Sequence, residues 1–294
     1  MSKDKKAPSL IRQIDQSLHS RLAIGRPKRP DKADGSYRRY IYSWQTYKSY
    51  MKQLGLFARW CKLQHNARYL KECRQYVKEY METRSDLSVW TQKLDLAALQ
   101  KLYQEYPYPE DGQKPFGVTL QPRKRENIRR SRQQAVRDAD FSTANNADLI
   151  TFCRCTGLRR SELQELKGSD LTVDGLYLHI TRNTKGGRWR MAPLVGEPEE
   201  IAMVQQMCRQ AGEGRVWPHV PSSADIHSYR ADYCQRVYLQ HARTADQIPA
   251  DARYYCRGDR KGVILDRAAM LEASRALGHN RIDVIASHYL YNLQ

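Results

Sequence analysis

Positions 107–117 read PYPEDGQKPFG, with three prolines and two glycines in one short stretch. Proline removes a backbone donor and clashes with a preceding helical turn, so neither a helix nor an interior strand runs through it. The chain is therefore expected to fold as separate bodies on either side of this break. The stretch QPRKRENIRRSRQQAVR at 121–137 follows it, so 107–139 reads as a basic linker. That leaves 37–106 and 140–294 as folded domains. Residues 1–36 read as a basic tail carrying a short amphipathic helix near Leu10–Ile24, then a Pro- and Gly-rich connection.

Apolar residues in 37–106 recur at helical spacing. Trp44, Tyr47, Met51, Leu54, Phe57 and Cys61 give one long helix; Cys73, Val77 and Tyr80 a second; Leu96, Leu99 and Tyr103 a third. In 140–294 a helix through Leu149–Cys153 stops at Thr156–Gly157, and Ser161 with Gln164 forms a capping pattern for a new one. Leu176, Leu178 and Ile180 alternate as a strand that Trp189–Leu194 can pair with. Helical patterns return at 197–211, at 228–242 and after 266. The expected class is mainly α with a small antiparallel β-sheet. Trp189 and the tyrosines of the first long helix are expected in the core.

Charge identifies the partner class. Against 32 Asp and Glu stand 50 Lys and Arg, a net +18. Residues 1–40 contribute +7 and residues 121–137 contribute +6. Such a distribution suits a phosphate backbone: each phosphate contact releases counterions, so binding is expected to weaken steeply as salt rises. Arg123, Lys124, Arg125, Arg129, Arg130 and Arg132 are the expected DNA-contacting residues. No run of 18 apolar residues and no apolar leader occurs, so a cytoplasmic, nucleoid-associated protein without membrane contact is expected. Seven cysteines without a CxxC pair read as reduced thiols.

No HExxH, carboxylate array, CxxC pair or GxxxxGK[ST] loop is present, so neither a metal nor ATP is expected as a cofactor. What remains is an ordered set of phosphate-binding residue types. Arg159 follows Gly157-Leu158 in a turn before a helix; Lys185 sits at a hairpin tip. His227 and Arg230 form an HxxR on one helix face; Leu277-Gly278-His279 is followed ten residues on by Tyr289. Singly, each has an ordinary explanation: a basic turn, a chance pair, a glycine-capped helix end, one tyrosine among nineteen.

In that order the residues resemble the tyrosine recombinase (phage integrase) family, over roughly 140–292, with TGLRRSEL the most specific part. The helical block before it resembles the family's DNA core-binding domain. The resemblance implies an α+β catalytic domain and, with the first domain, a C-shaped clamp on double-stranded DNA. It assigns Arg159, Lys185, His227, Arg230, His279 and Tyr289 as catalytic, with Tyr289 the nucleophile. It also implies a monomer or dimer that becomes a tetramer on paired sites, and possible accessory DNA-bending or directionality proteins.

The roles make chemical sense. Guanidiniums grip phosphate oxygens through paired, directional hydrogen bonds. A phenol of pKa near 10 needs a base or nearby cations before it attacks. Arg159, Arg230 and His279 would hold the phosphate, Lys185 would protonate the 5′-oxygen, and His227 would assist proton loss from Tyr289. Arg160 is expected to turn away, toward backbone or an acid such as Glu162 or Glu165. Ile282, Ile285 and Tyr289 are expected on one helix face, placing Tyr289 at the domain surface and Tyr291 about 200° away.

The sequence departs from the family pattern in three places. The His279–Tyr289 spacing is ten rather than nine; 48 residues separate Arg230 from His279, with an added loop or hairpin near 254–263; and five residues follow Tyr289. Coupling between protomers is therefore expected to be short or to lie elsewhere. The expected activity is site-specific recombination or integration for a mobile genetic element, through a 3′-phosphotyrosine link. Relaxation of the type IB topoisomerase kind and non-catalytic DNA-binding regulation are the alternatives.

Overall fold

Helix termini set the frame of the first part of the chain. In the computed structural model, which describes residues 8–106, 114–122, 138–182, 184, 189–257 and 260–293, the chain divides into two units, Met1–Asn127 and Ile128–Gln294. The division falls within the basic segment that follows the Pro/Gly break.

The first unit is helical. Helix α1 spans Leu10–His19, with the Ser9 hydroxyl accepting the Arg12 N–H, and buries Leu10, Ile14 and Leu18. Spacing of four keeps these three on one stripe. Helix α2 is Lys28–Ala33, and α3 is Trp44–His65, started by Ser43 and ended by Asn66 at φ +49°. Leu54, Phe57, Ala58 and Cys61 form its buried stripe. Helix α4 (Leu70–Cys73) and α5 (Val77–Glu82) are joined by a 3₁₀ turn, and α6 is Val89–Tyr103. The single second helix expected over 73–80 is thus two short ones.

Residues 10–41 are not a tail outside this unit. Helix α1 lies in its core, and the chain after it is tied by Ile41 N–H to Arg21 O at 2.8 Å and Ala23 N–H to Ile41 O at 2.9 Å. The buried Lys101 ammonium donates to the carbonyls of Arg38 and Tyr40, fixing the same segment from α6. Composition marked 25–36 as a flexible connection; these bonds hold its flanks.

The second unit opens with α7 (Ala147–Thr156), closed by Gly157 at φ +59°, and α8 (Arg160–Leu163). Strands β1 (Tyr177–Ile180) and β2 (Arg190–Pro193) pair antiparallel, Leu178 opposite Ala192 and Ile180 opposite Arg190. Then come α9 (Pro198–Ala211) and α10 (Ile226–His241), the latter capped by Asp225. A second hairpin, β3 (Arg253–Tyr255) with β4 (Ile264–Asp266), occupies the long interval between Arg230 and His279. Helices α11 (Arg267–Ala276) and α12 (Ile282–His288) complete the unit. One apolar cluster unites α7, β1, β2 and α9, while another unites α10, α11 and α12. Among the described residues no helix is long and apolar enough to cross a membrane.

Two local expectations are corrected. Trp189 is 66% exposed, because alternation along β2 puts Arg190 and Ala192 inward and leaves Trp189 outside. Helix α8 is started by Arg159 rather than Ser161: the Glu162 carboxylate accepts the Arg159 N–H at 2.8 Å.

Candidate active site

Arg159 owes its place to the residue two before it. A Cβ on Gly157 would lie 2.1 Å from Cδ1 of Tyr233, and φ there is +59°. Only glycine fits both demands, so α7 stops where the chain can turn directly under α10. Leu158 is buried, and Arg159 emerges at the start of α8 with about a fifth of its side chain accessible. Its Nη1 donates to Glu162 Oε1 at 2.6 Å and its Nη2 to the Leu277 carbonyl at 3.3 Å.

Arg230, on the first turns of α10, is buried. Its Nη2 donates to Leu277 O at 2.7 Å, its Nη1 to Gly157 O, and its Nε lies 3.3 Å from the Tyr289 hydroxyl. Burial pulls its guanidinium below the usual arginine value, while the neighbouring Tyr289 works against that pull. Both guanidiniums therefore meet at one carbonyl, Leu277 O. Carbonyls at a helix C-terminus carry partial negative charge and favour cations, which offsets part of the repulsion between them.

The turn after α11 supplies the third group. Gly278 at φ +70° and Asn280 at φ +54° reverse the chain, and Ser274 Oγ accepts the Arg281 N–H at 2.8 Å while donating to Arg281 O at 3.0 Å. His279, half-buried, is held by its N–H on Ser274 O, and its Nε2 lies 3.0 Å from the Tyr289 hydroxyl. His227 is exposed one turn before Arg230, with its ring centroid 5.3 Å from that of Tyr289.

Tyr289 itself sits differently from the expectation. Helix α12 ends at His288, Tyr289 takes a non-helical φ of −123°, and the residue is 4% exposed rather than at the surface. The longer interval after His279 is absorbed by the Gly278–Asn280 turn and a short helix, which swing the phenol inward. Gln235 Nε2 donates to its carbonyl at 3.1 Å. The angular comparison with Tyr291 lapses, since the helix does not reach either tyrosine.

Five of the six expected catalytic residues thus converge: Arg159, His227, Arg230, His279 and Tyr289. Lys185 lies outside the described residues, as do Arg123, Lys124, Arg125, Arg129, Arg130 and Arg132. Arg160 turns away, and of the two expected partners it takes backbone: the carbonyls of Val220, Pro221 and Ala224, at 3.2, 2.7 and 2.5 Å. Glu165 pairs instead with Arg215.

One arginine escaped the sequence reading. Arg190 is 6% exposed and grips Glu162 with both Nη atoms, at 2.8 and 2.7 Å, while its Nε donates to Ala276 O at 3.1 Å. Burial alone would raise the Glu162 carboxyl; the hydrogen bonds and charge of Arg190, with the Arg159 N–H, outweigh it and hold the group at about 2. The available signal was strand alternation, which puts position 190 on the inward face with Ala192. Among the described residues no group of His, Cys, Asp and Glu side chains could hold a metal ion.

No protein-family model matches the sequence, and a search of curated proteins finds no match. Solved structures do match. XerH site-specific recombinase, bound to a palindromic difH substrate in a post-cleavage complex, aligns over 98% of this chain and 94% of its own at TM-score 0.53 and 16% identity. The Tn1549 transposon integrase in complex with transposon right end DNA aligns over 96% and 95% at TM-score 0.50 and 13% identity. This chain has the tyrosine recombinase fold.

Proposed function

We propose that the protein is a site-specific DNA strand transferase acting through Tyr289. The observation that carries this reading is the meeting of His279 Nε2 and Arg230 Nε at one phenol oxygen, with Arg159 and Arg230 sharing the Leu277 carbonyl beside it. A phosphodiester entering here would exchange carbonyl partners for its own non-bridging oxygens. Those oxygens gain charge as the bond order changes, so preorganised guanidiniums stabilise the transition state more than the ground state. Donors of this kind are each worth about 3–4 kcal/mol.

In the proposed reaction the Tyr289 oxygen attacks phosphorus and the bond from phosphorus to the 5′-oxygen breaks. The phenol proton passes to His227, and Lys185 gives a proton to the departing 5′-oxygen. The product is a 3′-phosphotyrosine ester with a free 5′-hydroxyl. Attack by the 5′-hydroxyl of a second duplex reverses these transfers and completes an exchange. The ester conserves the energy of the broken bond, so the scheme consumes no ATP.

The first unit and the basic segment 121–137 would supply salt-sensitive affinity for the duplex. Exchange between two duplexes requires paired sites, hence a tetramer of this chain on DNA. The neighbours include a transposon integrase and a site-specific recombinase, which supports mobile-element integration or recombination as the setting. Incubation with two differently labelled duplexes carrying a selected site tests the assignment. Joint molecules between labels are expected; resealing of each strand only to itself would point to a relaxation enzyme.

A further inference from the structure

Glu162 is a fully buried carboxylate shared by two arginines that differ in exposure. Arg190, almost wholly enclosed, takes both of its oxygens, while Arg159, the more accessible, keeps one Nη on Oε1 and its own N–H on Oε2. With Arg190 in place the carboxylate is already neutralised, and Arg159 brings a net positive charge to the site. Without Arg190, Arg159 would be the one side-chain cation among the described residues bonded to this anion, and its charge would be spent on Glu162 rather than on a ligand.

We propose that Arg190 is a positioning residue: it neutralises Glu162 and anchors it to the end of α11, so that the charge of Arg159 is directed at the scissile phosphate. The inference rests on the strand-transfer reading above. Its mechanical half is the Nε bond to Ala276 O, which ties β2 to the carbonyl just before the one that receives Arg159 and Arg230. Gly278 permits the close approach, since a Cβ there would lie 2.9 Å from Arg190 Cδ. Arg190 thus links the anion under Arg159 to the turn that carries His279.

Charge separates this role of Arg190 from plain packing. On a nicked duplex at saturating protein, Arg190→Met is expected to slow single-turnover adduct formation on the order of 100-fold, the effect of losing one preorganised donor. Adding Glu162→Gln to that variant removes the unneutralised anion and is expected to restore most of the rate. Replacing the scissile phosphate by a neutral methylphosphonate is expected to shrink the Arg190→Met penalty, because no anion then needs the freed charge. Arg190→Gln, which also removes the charge but keeps a polar side chain in the buried site, serves with the same outcomes if Arg190→Met does not fold. A penalty unchanged by both Glu162→Gln and methylphosphonate would overturn the proposal.

A second readout needs no DNA. Titration with inorganic phosphate, followed by the Arg159 Nε–Hε resonance, is expected to shift it in the unaltered protein. The shift should weaken in Arg190→Met and return in Arg190→Met with Glu162→Gln. If no duplex yields an adduct but this pattern holds, the strand-transfer reading fails and the role of Arg190 stands. If Arg159 responds equally in all three proteins, or in none, the role of Arg190 fails.

Discussion

The hydroxyl of Tyr289 lies 3.0 Å from Nε2 of His279 within a single chain, ten residues apart in sequence. Arg230 of the same chain reaches that oxygen at 3.3 Å, and its guanidinium carbon lies 5.7 Å from the centre of the ring. The tyrosine and the arginine proposed to meet the same phosphate therefore belong to one protomer.

Cleavage is accordingly expected in cis. Protomers carrying Tyr289→Phe and protomers carrying Arg230→Ala, each inactive alone, should stay inactive when mixed on a nicked duplex. The yield of covalent adduct on denaturing gels reads the result. Recovery of adduct in the mixture would show that the tyrosine is donated between protomers.

Gly157 is the hinge on which Arg159 depends. Gly157→Ala puts a methyl within 2.1 Å of a Tyr233 ring carbon at φ +59°, so strain and overpacking add. A loss of about 2–4 kcal/mol in unfolding free energy is expected from the two together. Gly35→Ala, at φ +76° with open space around it, isolates the backbone part and should cost about 1–2 kcal/mol. Urea denaturation of both variants gives the comparison.

Glu162 makes stability acid-sensitive in a defined window. Its carboxyl lies at about 2 in the folded protein against an ordinary value of 4.5. A depressed acid contributes stability that is complete above the unfolded value and disappears as pH falls toward the folded one. The difference in unfolding free energy between the unaltered protein and Glu162→Gln should hold level above pH ~5 and shrink by about 3 kcal/mol on the way down to pH ~2. Thermal melts across that range check it; a difference that stays constant would mean the carboxyl is not charged against Arg190.

For Lys185, the assignment as proton donor has a chemical test. A substrate whose bridging 5′-oxygen is sulfur needs no proton on departure, because a thiolate leaves readily. Lys185→Ala should be restored by it, and Arg159→Ala should not. Equal failure of both variants on the sulfur substrate would make Lys185 a binding residue.

Much of this site was legible because its residues are ordered along the chain and each has a local reason. The Thr156–Gly157 stop, the HxxR on α10 and the Gly278 turn are short-range features that composition and periodicity record. Tyr289 was legible as a residue but not in its placement, since where α12 ends depends on how the turn after α11 packs. Arg190 was hidden for another reason. In a chain with 50 basic residues, nothing local distinguishes an arginine that will be buried from one that will be solvated. Its partner Glu162 lies 28 positions earlier on α8 while Arg190 lies on β2, so the pair exists only in the folded unit. The same limit applies to residues 1–36, whose basic composition suggests a tail while Leu10, Ile14 and Leu18 carry its helix into the core.

Tyr289 is expected to become covalently joined to DNA. A pool of nicked duplexes with random sequence, incubated with the protein, denatured and digested, gives peptides whose attached nucleotide can be located by mass spectrometry. The expected result is a 3′-phosphate ester on Tyr289, with no adduct from Tyr289→Phe. An adduct on another residue, or none while the protein binds the same DNA, would mean that Tyr289 is not the nucleophile.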